Sequence, residues 1–453
     1  PYIFVSSNME NITKKDGLFR KNGVSYLLSF IMITICFAMW GFANDVTSPM
    51  VKSFGLIFQM STFESSFVQV AFYLGYFCMA LPAALFIRRF SFKAGVVMGL
   101  ALYALGVLAF VPARSTGTFM AFLPAYFVMT CGLSFLETSC NPYVYAMGSE
   151  STGTRRLNFA QAFNPVGALM GAMVALTYVS GSLDPSDGAT RRQLLMADPL
   201  RFDAIKAHDL DILVQPYLYT GLVILAVLAA VVLTRMPSTD GTCDRKGVVS
   251  VFVQLLRTKN YREGVVAQFF YVGAQTVCWT YLMHYGHHVF YDLEGLGEAE
   301  AQQLTTHYYL AALALFAVGR FVCTWLLTRV EAGRLLAMLA LAAIGCLVGV
   351  ILIEGRVGLW CLVAVSGCMS LMFPTIYGMA LTGVRHHLEF AGAGLVMSIL
   401  GGSVVPLLQA AMMDSHTVIM GLTSVHYSFA VPLVCFAVVA RYGLMRRHRQ
   451  PKA

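Results

Sequence analysis

Three ionisable side chains interrupt long apolar runs: Asp45 at the end of WGFAND, Glu137 in GLSFLETSCNP and Arg320 in VGRFVCTWLLTR. A charge in such a setting costs several kcal/mol unless it faces a cavity or a partner. A carboxyl placed like that of Glu137 must be protonated, paired or wet. It can exchange a proton near neutral pH, which a proton-coupled carrier needs; the plainer alternative is a structural ion pair with an arginine of another run. Asp45 and Ser48 are three residues apart and share a helix face. Pro49 follows and weakens the helix, freeing carbonyls that only a cavity tolerates. Asp45 reads as a second proton-coupling or substrate-binding carboxylate, or else as a helix-end acid at the outer water interface. Arg320, two turns before Arg329, reads as a gating or interhelical lock.

Amides and indoles form a second set. Gln161 and Asn164 are three apart in LNFAQAFNPVG, and Gln268, Gln275 and Trp279 follow at spacings of seven and four in one later run. Amides within lipid must find hydrogen-bond partners, and helix–helix bonding is the ordinary explanation for each alone. Together with Trp40, Asn44 and Tyr76 they suit a neutral, polyhydroxylated ligand. Amides supply donor and acceptor at once, and an indole face packs on the C–H face of a sugar ring.

The elements that must hold these residues are set by composition. The chain has 453 residues, 58% hydrophobic and 12% charged, whereas a soluble domain carries about 25% charge. Apolar stretches of about 20 residues, enough to cross a bilayer, recur almost end to end. They predict spans near 24–48, 64–87, 94–112, 119–147, 158–180 and 216–235, then 263–285, 304–328, 335–353, 358–383, 391–413 and 423–440. The expected organisation is an N-terminal tail (1–23), a six-helix bundle (24–236), a polar basic linker (237–260), a second six-helix bundle (261–440) and a C-terminal tail (441–453).

The net charge of +8 reports topology rather than nucleic acid. With both termini cytoplasmic, the inside loops and tails hold roughly 23 of the Lys and Arg residues against about seven outside, as the positive-inside rule requires. Lys14, Lys15, Arg20 and Lys21 precede a first run too long for a cleavable signal, and Met9 opens MENITKKDG as a natural start. Ten of the eleven cysteines lie in apolar segments without a C-x-x-C pair, so they read as reduced packing residues. The basic RRFSFK (88–93) reads as positive-inside charge or as a conformational latch, and His386–His387 as a solvated loop. No H-E-x-x-H, G-x-S-x-G or metal-ligand cluster stands in the spans, so an enzyme, a cofactor and a bound metal are not expected.

The halves echo each other. SCNPYVYAMG (139–148) and LMFPTIYGMA (371–380) share P-x-x-Y-x-M, and a glycine-rich fifth run follows each. Such parallel duplication about an axis along the membrane normal is a transporter signature.

Over nearly its whole length the chain resembles the L-fucose:proton symporter (fucose permease) family of the major facilitator superfamily. The resemblance rests on AFYLGYFCMALPAALFIRRFSFKAGVVMGLALYALG, GLSFLETSCNPYV, RLNFAQAFNPVGA, AQFFYVGAQTVCWTYL, VGRFVCTWLLTR and FPTIYGMAL. It implies an all-α membrane protein, a monomer of twelve helices in two six-helix bundles, importing a monosaccharide with protons across the inner membrane by alternating access. The proton gradient is then the energy source, and an uncoupled facilitator or a non-transporting sugar sensor is the alternative. The family's proton-coupling glutamate falls on Glu137, its cavity glutamine and asparagine on Gln161 and Asn164, and its tryptophans on Trp40 and Trp279. Two positions depart. The family's Asn–Asn pair reads Asn44–Asp45, with Ser48 where its acid stands, and its Tyr-Pro-Thr-Ile begins with Phe373. Hydroxyl-by-hydroxyl recognition sets sugar preference, so both bear on which sugar is taken.

Overall fold

The computed structural model describes residues 18–21, 24–60, 62–186, 188–237, 247–384, 387–413 and 422–446. Apart from a two-residue hairpin pairing (Arg20–Lys21 with Val24–Ser25), the described architecture is helical. The described helices fall into twelve successive runs, numbered as spans one to twelve. The first six are Leu27–Phe58, Thr62–Arg89, Phe92–Leu108 continuing as Phe110–Thr116, Phe119–Ala146, Glu150–Val179 and Pro199–Leu233. The last six are Lys259–His287, Glu298–Leu326, Ala332–Leu352, Arg356–Leu381, Leu388–Met413 and Ser424–Met445. Among the described residues, nine are long and apolar enough to cross a membrane.

Local chemistry sets several ends. Ser91 accepts the Ala94 N–H at 3.0 Å and starts span three. Lys93 of the RRFSFK loop donates to the carbonyls of Val232 and Thr234 at 2.9 and 2.7 Å, capping the end of span six. A cation is favoured there because the terminal carbonyls lack intrahelical donors. Gly117, at φ 61°, closes span three in the left-handed conformation that glycine adopts without strain. Span one departs from expectation: Pro49 does not end it, and the helix runs to Phe58.

Packing divides the chain into two compact units. The first comprises Ile31–Cys140 and Phe163–Ser238; the second comprises Pro1–Phe30, Asn141–Ala162 and Thr239–Ala453. One boundary, between Ser238 and Thr239, falls within the expected linker at 237–260, and Asn141–Ala162 groups with the later spans. In the first unit, spans one and five touch backbone to backbone: a Cβ on Gly41 would strike the Asn164 carbonyl, and one on Gly167 the Ala38 carbonyl. Small residues permit this approach where apolar area alone gives no drive in lipid. An aromatic cluster joins spans three, four and six of that unit. Phe110 stacks on Tyr217 at 4.2 Å, and the Tyr217 and Tyr126 hydroxyls bond at 2.9 Å.

The segment between spans five and six is folded rather than merely solvated. Its helix Gly188–Ala197 presents Arg191, wholly buried, to the equally buried Asp209 at 2.6 Å. Arg191 also donates to the Ser186 and Asp184 carbonyls, and Asp209 accepts the Asp184 N–H. These bonds offset part of the cost of burying the pair, although Arg191 Nη1 has no hydrogen-bond partner among the described residues.

Candidate functional site

The first unit holds the acids. Span four places Glu137 inside the protein with 2% of its surface exposed. Among the described residues, no Lys, Arg or His forms an ion pair with it. Tyr76 of span two lies within interaction range of both the Glu137 carboxyl and the Trp40 indole. Its buried hydroxyl lacks a well-formed hydrogen bond. Trp40 is itself buried, its ring 5.2 Å from that of Phe37. The scaffold around them is fixed by main-chain acceptors: Ser134 donates to the Tyr76 carbonyl at 3.0 Å, Tyr103 to Met39 at 3.1 Å and Asn164 to Phe37 at 3.1 Å. Asp45 is half-buried on span one, five residues after Trp40. The side chains of Asn44 and Ser48 lie outside the described residues.

An acid, an indole and a phenol thus converge from spans one, two and four. A carboxyl buried without a cation can be stabilised only by a proton, a ligand or water. That is chemistry suited to taking up and releasing a proton.

The second unit holds the amides and the arginine. Gln161 donates through Nε2 to Asn141 Oδ1 at 2.6 Å. Arg320 reaches from span eight to the Gln161 carbonyl and Oε1, both at 3.5 Å. Its guanidinium sits 4.9 Å from the centre of the Phe316 ring, and its buried Nε has no partner. The same ring meets Trp279 in an edge-to-face arrangement at 5.1 Å, and the Trp279 Nε1 donates to Ser366 at 3.2 Å. Gln275 is half-buried one turn away on span seven. Gln268, two turns earlier, is fully buried with both amide atoms unpartnered. Unsatisfied amide and guanidinium groups are costly when dry, so these are places for water or a polar ligand.

Sequence reasoning placed Gln161 and Asn164 on one helix face. Span five carries a short turn at Ala162–Phe163, whose backbone stays in the right-handed helical region; Gln161 ends one helical run and Asn164 opens the next. Pro165 in the first turn of the second helix is the available signal, since proline favours helix starts. Asn141 was missed, although an asparagine before a proline in an apolar run stands out. His387 also differs from expectation: its side chain is 7% exposed and lies 3.7 Å from Glu389. His386 lies outside the described residues.

A chain of ties links the ends of spans four and five to span ten within the second unit. Asn158 donates to Thr375 at 3.1 Å, Tyr145 and Thr382 hydroxyls meet at 3.4 Å, and Glu150 accepts the Gly383 N–H at 2.8 Å. Gly378 lies against Thr154 with no room for a Cβ. Arg156, fully buried, secures this region by donating to the Val144 and Tyr145 carbonyls that end span four, and to Thr152 and Leu18.

The Major Facilitator Superfamily profile matches residues 28–433. The chain is 43% identical over 424 residues to the L-fucose-proton symporter of Haemophilus influenzae, covering 92% of this chain and 96% of that protein. It is 32% identical over 428 residues to the Escherichia coli L-fucose-proton symporter, covering 93% and 94%. To the Brucella abortus glucose/galactose transporter it is 30% identical over 430 residues, again covering 93% and 94%. The crystal structure of FucP, a major facilitator transporter in the outward conformation, superposes with a TM-score of 0.82 at 30% identity, covering 93% of this chain and 99% of that one. With its acids, amides and duplicated six-span pattern, the chain belongs to the major facilitator superfamily, in the group of the L-fucose–proton symporters.

Proposed function

We propose that this protein imports a monosaccharide together with protons across the inner membrane, both termini cytoplasmic, with L-fucose first among substrates and galactose or glucose next. The observation that carries the reading is Glu137, buried at 2% exposure with no cation beside it among the described residues. The relatives' names, fucose symporters at 43% and 32% identity and a glucose/galactose transporter at 30%, support the substrate class.

In this reading the sugar engages Trp40, Asn44, Asp45, Ser48, Gln161, Asn164, Gln275 and Trp279. Charging Glu137 in a dry site is costly, so proton occupancy and opening to water are linked. Asp45 is the second protonatable group, standing in place of the acid one turn further on in relatives. Arg320 acts as a gating residue, exchanging its contacts with Gln161 and Phe316 when the bundles rock. The ties from Asn158, Tyr145 and Glu150 to span ten close the cytoplasmic end. The protein works as a monomer and draws only on the proton gradient.

The test is a sugar panel in proteoliposomes under an imposed pH gradient, with external pH recorded. Accumulation of fucose above its equilibrium level, with alkalinisation of the medium on adding sugar, is expected. Sugar equilibration without alkalinisation would make the protein an uncoupled facilitator; binding without movement would make it a sensor.

A further inference from the structure

Preceding span seven is a short helix, Val248–Arg257, that none of the transport chemistry uses. Its ten residues extend about 15 Å, half the roughly 30 Å hydrocarbon thickness, so it cannot cross. Thr258, in extended conformation, separates it from Lys259–His287.

At about 100° per residue its side chains fall into three sectors. Val251 and Leu255 are buried, and Phe252, half-buried, meets the Phe390 ring of span eleven edge-on at 5.9 Å. Beside them, Val249, Val253 and Leu256, at positions i, i+4 and i+7, are exposed at 77%, 44% and 45%. Ser250, Gln254 and Arg257, all exposed, fill the third sector. The order around the helix is therefore protein, exposed apolar stripe, polar edge.

Cations gather at its C-terminal end. Arg257, Lys259 and Arg262 are exposed, and no acid stands between Gly247 and Arg262. The nearest, Glu263, is engaged by Arg446 at 2.7 Å and lies 3.9 Å from Lys259. An apolar stripe bordered by exposed cations that outnumber the one acid near them in sequence, joined directly to a spanning helix, matches an anionic headgroup boundary. Water on that stripe would be unfavourable, whereas acyl chains beneath phosphates satisfy both sectors.

We propose that Val248–Arg257 lies in the membrane interface and, with Arg257, Lys259 and Arg262, forms a binding site for anionic phospholipid headgroups. Its placement on the cytoplasmic leaflet rests on the topology proposed above; the lipid selectivity does not. Each cation near an anionic surface changes partitioning about fivefold.

The full-length protein, purified in detergent, is titrated with phosphatidylglycerol and separately with phosphatidylcholine, and retained lipid is counted by native mass spectrometry. Phosphatidylglycerol is expected to be retained at least tenfold more tightly. The triple variant Arg257→Gln, Lys259→Gln, Arg262→Gln should lose most of that preference while melting with the parent in phosphatidylcholine alone. Leu256→Asp, which leaves the packed face intact, should weaken retention too. Equal retention of the two lipids by the parent, or an undiminished preference in the triple variant, overturns the proposal. Neither readout involves sugar, so failure here and failure of the transport reading are distinguishable.

Discussion

Arg320 and Gln161 meet at 3.5 Å through two oxygens of the glutamine, its main-chain carbonyl and its Oε1. These distances are long for charged hydrogen bonds, so the contact is loose enough to be exchanged. The guanidinium also lies 4.9 Å from the centre of the Phe316 ring, which Trp279 meets edge-to-face at 5.1 Å. Phe316 therefore couples a cation and an indole. A buried cation–π contact contributes about 1 to 2 kcal/mol, and Phe316→Leu is expected to weaken sugar affinity about fivefold or more. Phe316→Tyr, keeping the ring, should stay near the parent. Sugar titration by tryptophan fluorescence checks both.

Asn158 and Thr375 exchange two neutral hydrogen bonds between spans five and ten, at 3.1 and 3.3 Å, and each such bond contributes about 1 kcal/mol. Removing them should shift the closed–open balance of that end about fivefold or more. With Asn158→Ala, a cysteine substituted for Thr382 should react correspondingly faster with an impermeant maleimide in inside-out vesicles. An unchanged rate would show that Tyr145 and Glu150 hold this end without them.

Buried ions behave differently. Breaking the Arg191–Asp209 pair leaves an uncompensated charge, so Arg191→Met should destabilise by about 3 kcal/mol or more. The double change Arg191→Met, Asp209→Leu should recover much of that loss. Thermal unfolding in detergent distinguishes this from a role in transport, since all three proteins should retain sugar affinity when folded.

Outside the spans, the two hydrogen bonds from Arg356 at 2.7 and 2.8 Å hold the Glu294 carboxyl below its ordinary range. A depressed carboxyl stabilises the fold above its unfolded pKa and loses that contribution as pH falls through its folded value. Arg356→Gln should therefore lower the melting temperature slightly at pH 7. The gap from the parent should close as pH falls below about 4. Both side chains are solvent-exposed enough that salt should shrink the difference as well.

Glu137, Asp45 and Arg320 were legible because charge in an apolar run has few explanations. The division into spans followed from length and hydropathy alone. What escaped depends on local geometry. A three-residue spacing does not reveal the turn at Ala162–Phe163, where Gln161 ends one helical run and Asn164 opens the next. Arg156 counted as one more positive-inside charge, yet it is fully buried as a cap on the end of span four. Lys93 counted likewise, and it caps span six. Charge statistics report which side of the membrane a loop occupies; they do not say which carbonyls lack donors. Pro49 misled in the other direction, since the helix continues through it to Phe58 where local propensity would end it.

The account centres on Glu137 as the group that links proton movement to sugar movement. Glu137→Gln keeps the shape and removes the titratable proton. In proteoliposomes it should abolish pH-driven sugar accumulation while sugar exchange in preloaded vesicles persists. Full pH-driven accumulation by Glu137→Gln would contradict the account.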